Sequence, residues 1–316
     1  MKLAPYQVGE RKEDIGMTGR TGCFAAGLVL LFAVPAALTP VTAGAQDAEA
    51  VRRGEYLAIA GGCTSCHTDF KNKGEPFAGG APIPTPFGTF HPPNITPHPE
   101  HGIGGWSDAD FIRAMREGKN PDGAHYFPAF PYTSYTKIAE ADLRDMKAYL
   151  FSLPAIDRPS KPHDISFPFS WRFLQTGWKM LFFEEGAFQP DPARSAAANR
   201  GAYLSEALAH CGECHTPRNF LGGLDADRWM AGTGDGPEGA LVPNITPDPE
   251  TGLTWSEAEI AYYLKTGATP EFDFAGSLMA DVISHNTGKL TAEDLRAIAE
   301  YLKSLKPVNH RVSRRK

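Results

Sequence analysis

One five-residue pattern occurs twice in this chain, as Cys63-Thr64-Ser65-Cys66-His67 and as Cys211-Gly212-Glu213-Cys214-His215. With 5 cysteines and 10 histidines in 316 residues, one such C-x-x-C-H run is expected by chance roughly 0.002 to 0.003 times. Cysteines at i and i+3 lie about one helical turn apart on one face, so both sulfurs reach the two vinyl groups of a single porphyrin. The histidine that follows then turns its imidazole to the iron. The pattern predicts two covalently bound haem c groups, attached through Cys63/Cys66 and Cys211/Cys214, with His67 and His215 as the proximal iron ligands.

The start of the chain agrees with that chemistry. An apolar run from Gly22 to Leu38 follows Lys2, Arg11, Lys12 and Arg20 and precedes the small-x-small stretch Ala43-Gly44-Ala45, which reads as a secretory signal peptide over residues 1–45. The run is short for a membrane span and is broken by Pro35. Cys23 lacks the residues of a lipoprotein signal. Haem is attached to c-type cytochromes outside the bacterial cytoplasm, so the expected compartment is the periplasm, with membrane association only through a partner or an uncleaved signal. An oxidising periplasm also admits two structural disulfides, but a disulfide needs no histidine.

The sequence repeats beyond the two motifs. Arg53-Gly54-Glu55-Tyr56-Leu57 matches Arg200-Gly201-Ala202-Tyr203-Leu204, Pro93-Asn94-Ile95-Thr96-Pro97 matches Pro243-Asn244-Ile245-Thr246-Pro247, and Gly105-Trp106-Ser107 matches Thr254-Trp255-Ser256. Asp142-Leu143-Arg144 recurs as Asp294-Leu295-Arg296. These matches predict an all-α protein of two tandem haem domains, 51–155 and 198–306, with a connector over 156–197 and a basic tail over 307–316. Ser107 with Asp110, Ser256 with Glu259, and Thr291 with Asp294 have capping-box spacing. The last helix of each unit is expected near 139–152 and 291–304, with core stripes Leu143, Met146, Leu150 and Leu295, Ile298, Leu302. Pro82 to Pro99 and Leu241 to Pro249 read as loops along the haem edge. The connector holds Phe167, Phe169, Trp171, Phe173, Trp178, Phe182 and Phe183, much aromatic area to leave in water. It is read as glue between the units or as a docking patch for a partner.

The repeat also measures the sixth iron position. Met279 lies 24 residues after Trp255, in what reads as a loop before the final helix, and the same count from Trp106 reaches Phe130. The second haem is therefore expected to have Met279 as its thioether ligand, while the first has lost that methionine. Met115 falls in a predicted helix and Met146 at a core position, which leaves His125 as the nearest side chain able to ligate the first iron, with an open or water-bound iron as the rival. A thioether favours Fe(II) and a second imidazole lowers the potential.

These strings, with Tyr126-Phe127-Pro128-Ala129-Phe130-Pro131-Tyr132 and a closing Ala-Tyr-Leu, resemble the multihaem cytochrome c subunits of membrane-bound alcohol, gluconate and fructose dehydrogenases. The resemblance covers almost the whole mature chain. It implies passage of electrons from a dehydrogenase-type donor to a quinone- or oxidase-linked acceptor, with a periplasmic dehydrogenase subunit as a partner. Two departures stand out: those subunits carry three haem domains and a C-terminal membrane-associating segment, and their Pro-Ala-x-Pro-Tyr loop offers methionine where this chain has Phe130.

A net charge of -6, with the only basic cluster at Arg311, Arg314, Arg315 and Lys316, argues against nucleic-acid binding. No G-x-G-x-x-G opens a helix after a strand, and no flavin, quinone or molybdenum motif is visible. An electron relay without a substrate of its own is the leading expectation. The alternative is a haem enzyme, a dihaem peroxidase or sulfur-compound dehydrogenase, acting at an open first haem. A sensor would need an output domain.

Overall fold

The computed structural model describes residues 43–314, and the signal-peptide expectation falls, apart from its last three residues, outside them together with Cys23. The first half contains α1 (Ala43–Ala60), α2 (Cys63–His67), β1 (Ile83–Thr85), β2 (Gly88–Phe90), α3 (Asp108–Glu117), α4 (Tyr132–Tyr135) and α5 (Glu140–Ser152). Between the halves lie β3 (Asp164–Ile165) and α6 (Leu174–Phe182). The second half contains α7 (Ala196–Ala202), a π-helical turn over Tyr203–Leu208, α8 (Gly212–His215), α9 (Glu257–Thr266), α10 (Ser277–His285) and α11 (Ala292–Ser304). Among the described residues, no helix is long and apolar enough to cross a membrane.

Two of the three capping boxes form as their spacing predicts, while at α11 Thr291 accepts from the Asp294 N–H but the Asp294 carboxylate turns to Arg200 and Tyr56 instead. Ser107 accepts from the Asp110 N–H at the start of α3 and Asp110 accepts from the Ser107 N–H, and Ser256 and Glu259 do the same for α9. Gly118 and Gly267, both left-handed, end those helices. In α5, Leu143 and Met146 are fully buried and Leu150 nearly so, and in α11 Leu295, Ile298 and Leu302 are buried. Each such side chain contributes about 1.5–3 kcal/mol of apolar burial.

The repeated Arg-Gly-x-Tyr-Leu string is a helix-crossing motif. A Cβ on Gly54 would lie 1.8 Å from the Asp145 carbonyl oxygen, and one on Gly201 would lie 1.9 Å from that of Ala297. Only glycine lets α1 cross α5, and α7 cross α11, at that separation. The neighbouring arginines fasten the same crossings, Arg53 to Asp145 at 2.8 Å and Arg200 to Asp294 at 2.8 and 2.9 Å.

Two expectations are corrected. The protein is mostly helical but not all-α, because β1 and β2, inside the stretch read as loop, form a three-stranded antiparallel sheet with β3 of the connector. Strands of two or three residues are too short to show a period of two, and Pro84 is accommodated on the edge strand β1. Met279 lies in the first turn of α10 rather than in a loop. Segment 156–197 bonds to residues on either side of it: Trp178 Nε1 donates to the Leu221 carbonyl at 2.9 Å and Lys179 Nζ donates to those of Glu117 and, at 2.9 Å, Gly118. Its aromatic surface is nevertheless not all covered: Phe167, Phe169, Trp171 and Phe173 are exposed.

Candidate haem sites

Each motif is preceded by a helix and a left-handed residue, Gly62 (φ 70) and His210 (φ 40), which turns the chain into the short helix carrying the cysteines. The threonine that follows fixes the exit. Thr68 Oγ1 accepts from the Phe77 N–H at 3.1 Å, and Thr216 Oγ1 accepts from the Met230 N–H at 3.0 Å. Phe77 and Met230 share positive φ values of 60 and 59, and their carbonyls accept from the Ile95 and Ile245 N–H groups at 2.9 Å. The two sites are thus built by the same backbone path from different side chains.

The Pro-Asn-Ile-Thr-Pro strings close each path. Asn94 Oδ1 accepts from the Thr96 N–H (2.9 Å) and hydroxyl (2.7 Å), and Asn244 Oδ1 accepts from the same groups of Thr246 at the same distances. Asn94 Nδ2 holds the carbonyls of Ile156 and Arg158, and Asn244 Nδ2 holds that of Val308. All four side chains are buried, so these turns bind the chain that leaves each final helix.

The proline ahead of each asparagine carries the chemistry. His67 Nδ1 lies 2.7 Å from the Pro93 carbonyl oxygen, and His215 Nδ1 lies 2.9 Å from that of Pro243. A carbonyl can only accept, so Nδ1 carries the proton in both rings and Nε2 keeps its lone pair. Burial also holds both imidazoles below their ordinary pKa, keeping them neutral. A neutral imidazole oriented by a hydrogen bond at its other nitrogen is the arrangement of an iron-ligating histidine. Among the described residues, Cys63, Cys66, Cys211 and Cys214 are free. Burial pushes the thiols of Cys63 and Cys211 up to about 12 and that of Cys214 up to about 11. The donor set therefore fits haem c: paired un-ionised thiols one turn apart, and a fixed imidazole with a free nitrogen.

The remaining candidates are placed as follows. Met279 is partly buried against the core. Phe130 is partly buried with its ring edge-on to Tyr126 (5.4 Å) and Tyr135 (5.5 Å). His125 points Nε2 at Thr176 Oγ1 of α6 over 3.3 Å, while its Nδ1 is buried with no hydrogen-bond partner. Among the described residues no cluster of three or more His, Cys, Asp or Glu side chains could hold a metal ion without a porphyrin. Thr68, Thr216, Pro93 and Pro243 were not singled out as site residues from the sequence, although each pair recurs at matching positions.

The family model for cytochrome c matches residues 51–154. The chain is 50% identical over 260 residues to a dihaem c-type cytochrome of Cereibacter sphaeroides, covering 79% of this chain and 84% of that protein. It is 40% identical over 283 residues to the fructose dehydrogenase cytochrome subunit of Gluconobacter japonicus, and 38% identical over 277 residues to the cytochrome c subunit of the quinone alcohol dehydrogenase of Gluconobacter oxydans. Those two matches cover 88% and 84% of this chain but 57% of each subunit. The chain belongs to the c-type cytochromes, haem proteins of electron transfer, in the group that holds these dihaem proteins and dehydrogenase cytochrome subunits.

Proposed function

We propose that the protein is a periplasmic dihaem relay, two tandem cytochrome c domains (51–155 and 198–306) joined by the 156–197 connector, which takes single electrons from a dehydrogenase-type donor and delivers them to a respiratory acceptor. The observation that carries this reading is the pair of histidine–proline bonds, at 2.7 and 2.9 Å, made at the same place in both halves. Haem c supplies an iron that takes up and returns one electron. The chain's own residues do the rest: Cys63, Cys66, Cys211 and Cys214 tether the groups, His67 and His215 ligate them, and the Pro93 and Pro243 carbonyls hold the ligating rings in place. Met279 is the sixth ligand of the second site. At the first, His125 is the candidate, and its unpartnered buried Nδ1 supports it.

A second reading has an observation of its own. Phe130 stands where the repeat puts methionine, and its ring has no lone pair. An open first iron would suit a dihaem peroxidase or a sulfur-compound dehydrogenase. Adding hydrogen peroxide, thiosulfate and carbon monoxide to the purified holoprotein separates the two. The relay predicts two one-electron titration steps and no turnover, while catalytic consumption of peroxide or thiosulfate would contradict it.

A further inference from the structure

The two motifs differ in one buried charge. Between the second pair of cysteines stands Glu213, its side chain 11% exposed, where the first motif has Ser65. The carboxylate is not held by its own half alone. It pairs with Arg218, which is itself fastened to the Gly222 carbonyl at 2.7 Å and the Glu213 carbonyl at 3.2 Å. Its other oxygen accepts from Thr133 Oγ1 at 2.7 Å and Ser134 Oγ at 3.3 Å, both on α4 of the first half. The next residue of α4, Tyr135, donates its hydroxyl to the Gly61 carbonyl at 2.6 Å, two residues before Cys63, and sets its ring edge-on to His210, one residue before Cys211. A single turn of helix therefore grips both attachment segments.

We propose that Glu213 sets the reduction potential of the haem at the second motif, and that Thr133 of the first half controls how much of the carboxylate's charge that haem feels. The proposal rests on the dihaem reading above. Glu213 is one residue from Cys214 and two from His215, so its charge would lie near a haem held by those residues, in a setting too buried for water to screen it fully. A nearby negative charge favours Fe(III), and net charge with hydrogen bonding is one of the means by which a protein moves such a potential. Arg218, Thr133 and Ser134 each withdraw part of that charge. Thr133 and Ser134 do so from across the boundary between the halves. Through this charge the position of α4 is linked to the second haem, whereas the first motif has a neutral serine at the same place.

The test uses the haem-loaded full chain, first counting two haems by pyridine haemochrome, so that a failure of the dihaem reading is seen separately. Potentials are then followed optically, with the second haem assigned from a Cys63→Ser/Cys66→Ser variant that loads only that site. Glu213→Gln raises the second haem's reduction equilibrium up to about tenfold, which is about 59 mV for one electron, and leaves the first where it was. Thr133→Val, which keeps shape but removes the donor, shifts the second haem in the opposite direction by a few-fold. In the Glu213→Gln background Thr133→Val has no effect on either potential. Unchanged potentials in Glu213→Gln, a shift at the first haem instead, or an equal Thr133→Val shift in both backgrounds overturns the proposal.

Discussion

Tyr56 in α1 donates its hydroxyl to Asp294, 238 residues away at the start of α11, over 2.5 Å, and Tyr203 returns the exchange to Asp142 at the start of α5 over the same distance. Each hydroxyl also accepts a backbone N–H at the helix it reaches, Thr291 at 3.3 Å and Ala139 at 3.1 Å. Ala139 has no side chain able to cap α5. The other half caps it instead. Tyr56→Phe leaves the buried Asp294 carboxylate, and Tyr203→Phe the partly buried Asp142 carboxylate, one donor short, and each is expected to cost about 1.5–3 kcal/mol. Urea unfolding of the holoprotein checks this, and because the pair bridges the halves, both halves should unfold in one transition that moves as a whole.

The same Asp294 gives a pH dependence. Burial pushes its carboxyl up, but the bonds from Arg200 and Tyr56 pull harder and leave it below the ordinary 3.8. A carboxyl lowered in the folded state contributes stability that is fully present above the unfolded value and is lost as the pH falls through the folded one. Wild type should therefore exceed Asp294→Asn clearly at pH 7, and the gap between their urea midpoints should narrow at about pH 3. A gap independent of pH would show that the carboxylate charge contributes nothing.

The glycines at the two crossings should be far less tolerant than a glycine in the open. Gly201→Ala puts a carbon 1.9 Å from a backbone oxygen, which forces α7 off α11 and should cost at least about 1–3 kcal/mol. Gly177, inside α6 with nothing within 4 Å of an added Cβ, is the control. Gly177→Ala should be neutral or raise the melting temperature slightly, since it removes freedom from the unfolded chain.

The sixth ligands can be read from potentials and magnetic spectra. Met279→His should lower one of two titrating potentials and leave the other near its place, because imidazole favours Fe(II) less than a thioether does. His125→Ala should abolish bis-imidazole signals in EPR and magnetic circular dichroism. A methionine charge-transfer signature from both haems would contradict the register argument built on Phe130.

The parts of this fold that were legible in the sequence are those in which local chemistry is repeated. Ser107 and Ser256 mark helix starts because a cap needs only its own third neighbour, and Leu143, Met146 and Leu150 mark a buried face because one helix sets their period. The short sheet was hidden, since Gly88–Phe90 becomes a strand only when Ile83–Thr85 and Asp164–Ile165 flank it. Met279 sits inside a helix that its Gly- and Phe-containing surroundings do not announce. The partners of Glu213 were equally illegible, since Thr133 and Glu213 lie 80 residues apart and only the fold brings them together. The role of Pro93 and Pro243 was visible as a repeat but not as chemistry, because the group that matters is a main-chain carbonyl.

The central claim is two haems on one chain, each tethered by its own pair of cysteines. Intact-mass spectrometry of protein matured in cells that attach haem c tests it most directly, with Cys63→Ser/Cys66→Ser and Cys211→Ser/Cys214→Ser alongside. The expected result is two haem masses on the wild type and one on each variant. One haem on the wild type, none, or a variant that still carries two would contradict it.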